Sequence, residues 1–179
     1  MTGLRLTGHT TILREFTSGD LDAVHAIVGD PRVTDWLSFD ARTRDEARAM
    51  LDGILTRAGQ EPRGEFYLAV EADASLVGFV RLATSGVKAA KLGFAVAADH
   101  WGRGYATDAA ATMTHHAFTV LGLHRVSTAI GPANHASMAV VTKLGFIPEG
   151  RIRDHVHTNG AWRDSILYGV LAHEWTPRG

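Results

Sequence analysis

Trp101-Gly102-Arg103-Gly104-Tyr105-Ala106 is the stretch on which the reading of this chain turns. It follows an apolar run, Leu92 to Ala98, and opens onto a segment with helical spacing that begins near Gly104. A strand, a turn with two glycines and an arginine, then a helix start form a place where phosphate can be held. Backbone N–H groups converge there, the helix dipole favours negative charge, and glycine lets a ligand come close. The other reading is an ordinary tight strand–helix connection. Spacing alone leaves both open.

Downstream of the turn, Ala109, Ala110, Met113, Ala117, Val120 and Leu121 recur at helical spacing, and Gly122 ends the helix. Arg125 to Ile130 reads as a strand closed by Gly131-Pro132. Asn134 can cap a shorter helix with Ser137, Val140, Val141 and Leu144 on one face, ended by Gly145. Phe146 to His157 and Trp162 to Leu171 flank Asn159-Gly160, the strongest short hairpin signal in the chain. From His173 the tail reads as a loose end, with Glu174-Trp175 available to dock.

Upstream, Ala89 to Ala98 is the strand that feeds the turn. Phe66 to Glu71 and Leu76 to Leu82 form an antiparallel hairpin across Ala72-Asp73-Ala74-Ser75. Thr43 and Glu46 make a capping box for a helix whose face is Ala47, Met50, Leu51, Ile54, Leu55 and Ala58. Val33 to Asp40 reads as irregular. Its Trp36, Leu37 and Phe39 either pack or line a substrate pocket. Thr10 to Phe16 is a strand, and Ser18 caps a helix through Leu21, Val24, Ile27 and Val28 that stops at Gly29-Asp30-Pro31. The order predicts an α/β mixed fold: a twisted, mostly antiparallel sheet of about seven strands with about four helices.

With 179 residues the chain suits one domain, 1–179, with a substantial core. A net charge of −1 gives no bulk attraction to nucleic acid or to a membrane surface. The absence of cysteine excludes disulfides and thiolate chemistry from the protein itself. No signal-peptide pattern is read over Met1 to Leu13 and no long apolar run follows, so the expectation is a soluble cytoplasmic protein.

Five motifs in order carry a resemblance: Trp101 to Thr107, Leu123-His124-Arg125-Val126, Asn134-His135-Ala136-Ser137, Lys143-Leu144-Gly145-Phe146, and the late set Glu149-Gly150, Asn159-Gly160, Asp164 and Glu174-Trp175. Together they resemble the GCN5-related N-acetyltransferase (GNAT) family, in particular its ribosomal-protein N-terminal acetyltransferase branch. The family loop is written Gln/Arg-x-x-Gly-x-Gly/Ala; Gly104 and Ala106 fit, and Trp101 stands at the first position.

The resemblance implies acetyl-CoA as co-substrate and no metal. It implies that pyrophosphate lies on the N–H groups around Gly102 to Ala106, with Arg103 at the rim and Tyr105 and Thr107 in the same turn. It implies that two central strands splay and that the pantetheine arm pairs with the strand at Phe94, Ala95 and Val96. It places Asn134 and Ser137 beside the arm, with the Ser137 hydroxyl near the sulfur. Without the resemblance, Ser137 reads as a capping or surface serine and Asn134 as a helix cap.

The resemblance leaves the general base open. Relatives in this branch carry glutamates where this chain has Lys91 and Val156. His155, His157, Asp154 and Asp164 remain, and strand alternation puts His155 and His157 on one face. Each histidine also reads as hydrogen-bonded filler, and an ordered water can carry the proton. His155-x-His157 lacks a third metal ligand, and His115-His116 read as surface residues. The expected reaction is direct attack of a primary amine on acetyl-CoA. The acceptor is a peptide N-terminus or a small molecule, with no nucleic acid and no membrane involved, in a monomer or homodimer. A cationic Lys91 would suit an acidic acceptor. The alternative is an acyl-CoA-binding sensor module without turnover.

Overall fold

The computed structural model describes residues 3–177; the single-domain reading of 1–179 extends beyond them at both ends. Two short strands, β1 (Arg5–Thr7) and β2 (Ile12–Arg14), precede the helices α1 (Leu21–Val28), α2 (Pro31–Thr34) and α3 (Arg44–Ala58). Strands β3 (Glu65–Ala72), β4 (Ser75–Thr84) and β5 (Ala89–Val96) lead into α4 (Tyr105–Thr119). Then come β6 (Arg125–Ile130), α5 (His135–Lys143), β7 (Ile147–Thr158) and β8 (Ala161–Leu171). The strands form one 8-stranded sheet in the order β1-β2-β3-β4-β5-β6-β8-β7. Every pairing is antiparallel except β5 with β6.

Alternation along the central strands buries both faces. Leu68, Val70, Val80, Leu82, Leu92 and Val96 pack with Met113 and Ala117 of α4, Val141 of α5 and Phe146. Tyr67, Ala69, Phe79 and Ala95 face the other way, against Val24 and Ile27 of α1 and Leu51 and Ile54 of α3. Each helix lies on the sheet because its apolar residues recur every three or four positions, a stripe that only burial satisfies. The Thr43 capping box forms as read: Thr43 N–H donates to Glu46 Oε2 at 2.7 Å, and Glu46 N–H donates to Thr43 Oγ1 at 3.3 Å.

The structure departs from the sequence reading at several points. β1 is an additional strand, held at its turn by Asp108 of α4. That carboxylate accepts from the N–H groups of His9, Thr10 and Thr11 and from the Thr11 hydroxyl. Three residues are too few for a periodic signal. α2 is also additional; Asp30 caps it and Pro31 begins it, so the residues read as a stop signal start a new turn. Ser18 lies inside a 3-10 turn whose last residue, Asp20, is the α1 N-cap. Val120 is 68 % exposed, because α4 ends at Thr119.

His116 is buried beneath the edge of the Phe66 ring rather than at the surface. The tail is docked, with Trp175 against Phe118 and its indole N–H donating to His115 Nδ1 at 3.4 Å. Among the described residues no helix is long and apolar enough to cross a membrane.

Candidate functional site

Strands β5 and β6 pair only at Ala89–Arg125, Ala90–Val126 and Lys91–Ser127 and then separate. β4 keeps hold of β5 as far as Gly78–Val96, and β8 keeps hold of β6 as far as Ile166–Ile130. The gap between them is therefore a split in the centre of the sheet, opening toward the C-terminal ends of both strands. Ala97 N–H donates to Val77 O across β4. By strand alternation, the backbone groups of Leu92, Phe94 and Val96 point away from β4, into the split. Ala95 faces Phe79 of β4 in the pairing register. Gly78 lets β4 come close: a Cβ there would stand 2.3 Å from Ala95 O. Any side chain at 78 would force β4 and β5 apart at this point.

A cleft of about 800 Å³ occupies the split. At its wide end β5 runs through a 3-10 turn, Ala98–His100, into Trp101 to Gly104 and α4. Gly102 and Gly104 have φ of +76° and +81°, the left-handed region that favours glycine. Among the described residues, the N–H groups of Gly102 to Thr107 make no hydrogen bond, and the first helical bond is Asp108 N–H to Gly104 O at 3.0 Å. Consecutive free donors at the N-terminus of a 15-residue helix have the geometry to receive an anion. Trp101, half exposed, donates its indole N–H to Val96 O at 2.7 Å. Tyr105 is buried, with its hydroxyl donating to Asp73 at 3.1 Å.

Beside the split, α5 begins at the mouth of β6. Asn134 Oδ1 accepts from Ser137 N–H at 3.1 Å, capping the helix and fixing where Ser137 lies. Both residues line the cleft with half-buried side chains.

The α1/α3 face of the sheet forms the other wall. Arg81, Lys91, Gly93, Ser127 and Leu167 line it, and Val33, Trp36, Leu37 and Ser38 come over from the α2 loop. Arg163 ties that loop to β8, donating Nη1 to Asp35 O at 3.1 Å and Nη2 to Leu37 O at 3.0 Å. Asn159 adds a bond from its N–H to Asp40 at 2.7 Å and one from its side chain to Asp35 at 3.1 Å. In β7 the register jumps from Ile152–Ser165 to Val156–Arg163, with Asp154 at φ +45°. Asp164 pins this bulge by accepting from Asp154 N–H at 2.9 Å and Arg151 Nε at 2.6 Å, and these donors hold its carboxyl below the usual range.

The bulge re-aims His155 into the cleft, where its Nδ1 is hydrogen-bonded to the buried Ser165 Oγ at 3.0 Å. Arg81 shares Glu65 with Arg57. Burial works to raise the Glu65 pKa, but the hydrogen bonds from these two arginines outweigh it and hold the carboxyl below its usual range.

A family model, described as acetyltransferase (GNAT) domain, matches residues 10–147. The chain belongs to the GNAT acetyltransferase family. This acetyltransferase is 26 % identical over 164 residues to YoaA, an uncharacterized N-acetyltransferase of Bacillus subtilis (strain 168), spanning 89 % of this chain and 92 % of that one. It is 25 % identical over 171 residues to the spermidine N(1)-acetyltransferase of Escherichia coli (strain K12), spanning 94 % and 90 %. A solved structure of Mycobacterium smegmatis RimJ in complex with CoA-disulfide superposes with a TM-score of 0.84 at 25 % identity, covering 100 % of this chain and 90 % of that one.

Most of the acetyltransferase residues singled out in the sequence meet in one cleft: Phe94, Ala95, Val96, Trp101, Gly102, Gly104, Tyr105, Ala106, Thr107, Asn134, Ser137 and His155 all line it. Arg103 is exposed in the same turn but outside the lining. The bulge parts the two histidines that alternation put together: His157 stands outside the lining, its ring edge-on to Trp162 with centroids 5.0 Å apart. Trp36 and Leu37 line the cleft and Phe39 does not. Sequence reading missed Arg163 and Gly78, whose roles depend on partners far along the chain. Among the described residues no group of three or more His, Cys, Asp or Glu is placed to hold a metal ion.

Proposed function

We propose that the chain works as one domain that transfers the acetyl group of acetyl-CoA to a primary amine, with an α-amino group of a peptide or small molecule as the acceptor. The observation that carries this is the split between β5 and β6, which ends in the free N–H groups of Gly102 to Thr107. An extended arm fits along Phe94 to Val96 as an added strand, and a pyrophosphate fits the turn. Acetyl-CoA supplies the activated acetyl group. The free N–H groups of β5 are available to the thioester oxygen as charge develops on it.

In the reaction the acceptor nitrogen bonds to the acetyl carbonyl carbon and the carbon–sulfur bond breaks. The thiolate leaves, and the amine loses one proton. Ser137 donates its hydroxyl hydrogen bond to the departing sulfur. His155, oriented by Ser165, takes the amine's proton directly or through a water. An α-amino group, with a pKa of about 7.7–8.0, is about half or more neutral near pH 8 and needs only such modest help.

The test is release of free CoA from acetyl-CoA with a panel of amines. Turnover is expected with α-amines. Ser137→Ala should lower kcat about tenfold or more with little change in the KM for acetyl-CoA, and His155→Ala should lower kcat about 100-fold. Tight CoA binding with no turnover on any amine would overturn the reading.

A further inference from the structure

We propose that the acceptor is a primary amine carrying an anionic group on the same molecule, and that Lys91 is the side chain that selects it; this rests on the acetyl-transfer reading above. The charged side chains lining the cleft are all basic: Arg81, Lys91 and Arg163, with His100, His135 and His155 beside them. No aspartate or glutamate lines it among the described residues. The chain as a whole has 19 acidic and 18 basic residues, so the cleft departs from the balance of the protein.

The three cations are not equivalent. Arg81 is matched by Glu65. Arg163 spends its Nη donors on the α2 loop, and its Nε is buried with no acceptor. Lys91 is exposed, lines the cleft, and makes no ion pair among the described residues. It stands on the last rung before β5 and β6 part, opposite Ser127. At about 3.3 Å per residue, Ala97 and the phosphate turn lie about 20 Å further along the chain. Lys91 also belongs to the α1/α3 face, while α4 lies on the other. Its charge is therefore not part of the phosphate site and faces the acceptor.

Gly93, the next residue on that face, leaves open space where a side chain would stand. An amine there would be about 7 Å along the strand from Lys91. That places an anion borne by the same molecule within reach of Nζ.

A polyamine would bring a second ammonium to a wall that holds the unpaired Lys91 and, among the described residues, no carboxylate in its lining to receive it. That juxtaposition is repulsive and discriminates against such acceptors. An acidic acceptor gains the missing partner. The same positive field disfavours the protonated amine and so favours the neutral nucleophile. Two sources offer this chemistry: a free acidic amino acid, and a peptide whose first residues are acidic.

The experiment follows CoA release by the full chain with matched acceptors: glutamate, glutamine and lysine; the peptides Ser-Glu-Glu, Ser-Gln-Gln and Ser-Lys-Lys; and spermidine. The wild-type protein should prefer the acidic member of a series over the neutral one by about tenfold in kcat/KM, carried mainly by KM, and the basic members should be poorest. Lys91→Gln should compress that ratio and Lys91→Glu should invert it. CoA affinity, measured by calorimetry, reports that each variant is folded. Preference within the amino-acid series or within the peptides identifies the source, and either supports the proposal. Wild-type turnover of spermidine or Ser-Lys-Lys at or above the rate of the acidic acceptors would overturn it, as would a ratio unchanged in Lys91→Glu. Absence of turnover with every amine would overturn the acetyl-transfer reading and this proposal with it.

Discussion

The wall of the cleft made by β5 and the turn into α4 presents backbone: the N–H groups of Gly102 to Thr107 and the inward-facing edge at Phe94 and Val96. The wall across from it presents side chains, with Lys91 from β5, His155 from the β7 bulge, Arg163 from β8 and Trp36 from the α2 loop. Backbone donors survive most substitutions, failing only where a special φ is demanded. Side-chain donors change with every substitution. If acetyl-CoA lies on the first kind and the amine on the second, as proposed above, the acceptor can change without rebuilding the site for the donor.

The most damaging way to test that division is to break the backbone wall. Gly102→Val together with Gly104→Val puts branched side chains at two left-handed positions, each costing about 1–2 kcal/mol or forcing the turn to open. Affinity for CoA, measured by calorimetry, should fall at least about 100-fold while the far-UV circular dichroism is retained. Unchanged affinity would mean that the turn is not the phosphate site.

Arg163→Ala removes two hydrogen bonds from a charged donor to the α2 loop, worth about 1.5–3 kcal/mol each. The acceptor KM should rise about tenfold with CoA affinity unaltered, measured by steady-state kinetics and calorimetry. An equal loss on both substrates would show that the walls are mechanically coupled.

Asp108→Asn leaves both walls in place and should sharpen the contrast by lowering stability alone, by about 1–2 kcal/mol in a denaturant melt. Burial works to raise the Asp108 pKa, and the hydrogen bonds from Thr11, Thr10 and His9 outweigh it, so the folded value lies below the ordinary one. The stabilisation is therefore present above the unfolded pKa near 3.9 and is lost as pH falls through the folded value. Melts at pH 7 and near pH 3 should show the wild type approaching the variant at acid pH.

The backbone wall was legible in the sequence because it is local. Two glycines, the strand before them and the helix after them are contiguous, and the Asn134 cap and Ser137 are three residues apart. The opposite wall was legible only in part: Trp36, Leu37, Lys91 and His155 stood out in the sequence and line the cleft, but what positions them did not. Nothing near Arg163 announces that its partners are carbonyls at Asp35 and Leu37. His155 and His157 looked equivalent until the bulge at Arg153 to His155 shifted the register and parted them. Gly78 reads as a strand glycine until Ala95 O is seen against it. Short elements escaped as well: β1 and α2 owe their existence to Asp108 and Asp30, not to periodicity.

The bonds that join the α2 loop to the β7–β8 hairpin span 119 to 128 residues of chain. Every residue of the backbone wall precedes Gly145, whereas the acceptor wall requires the last hairpin. On the function proposed above, synthesis from the N-terminus delivers the residues for acetyl-CoA before those for the amine. The α2 loop gains these bonds only once the final hairpin is made, so a chain that ends before it should bind CoA without transferring acetyl.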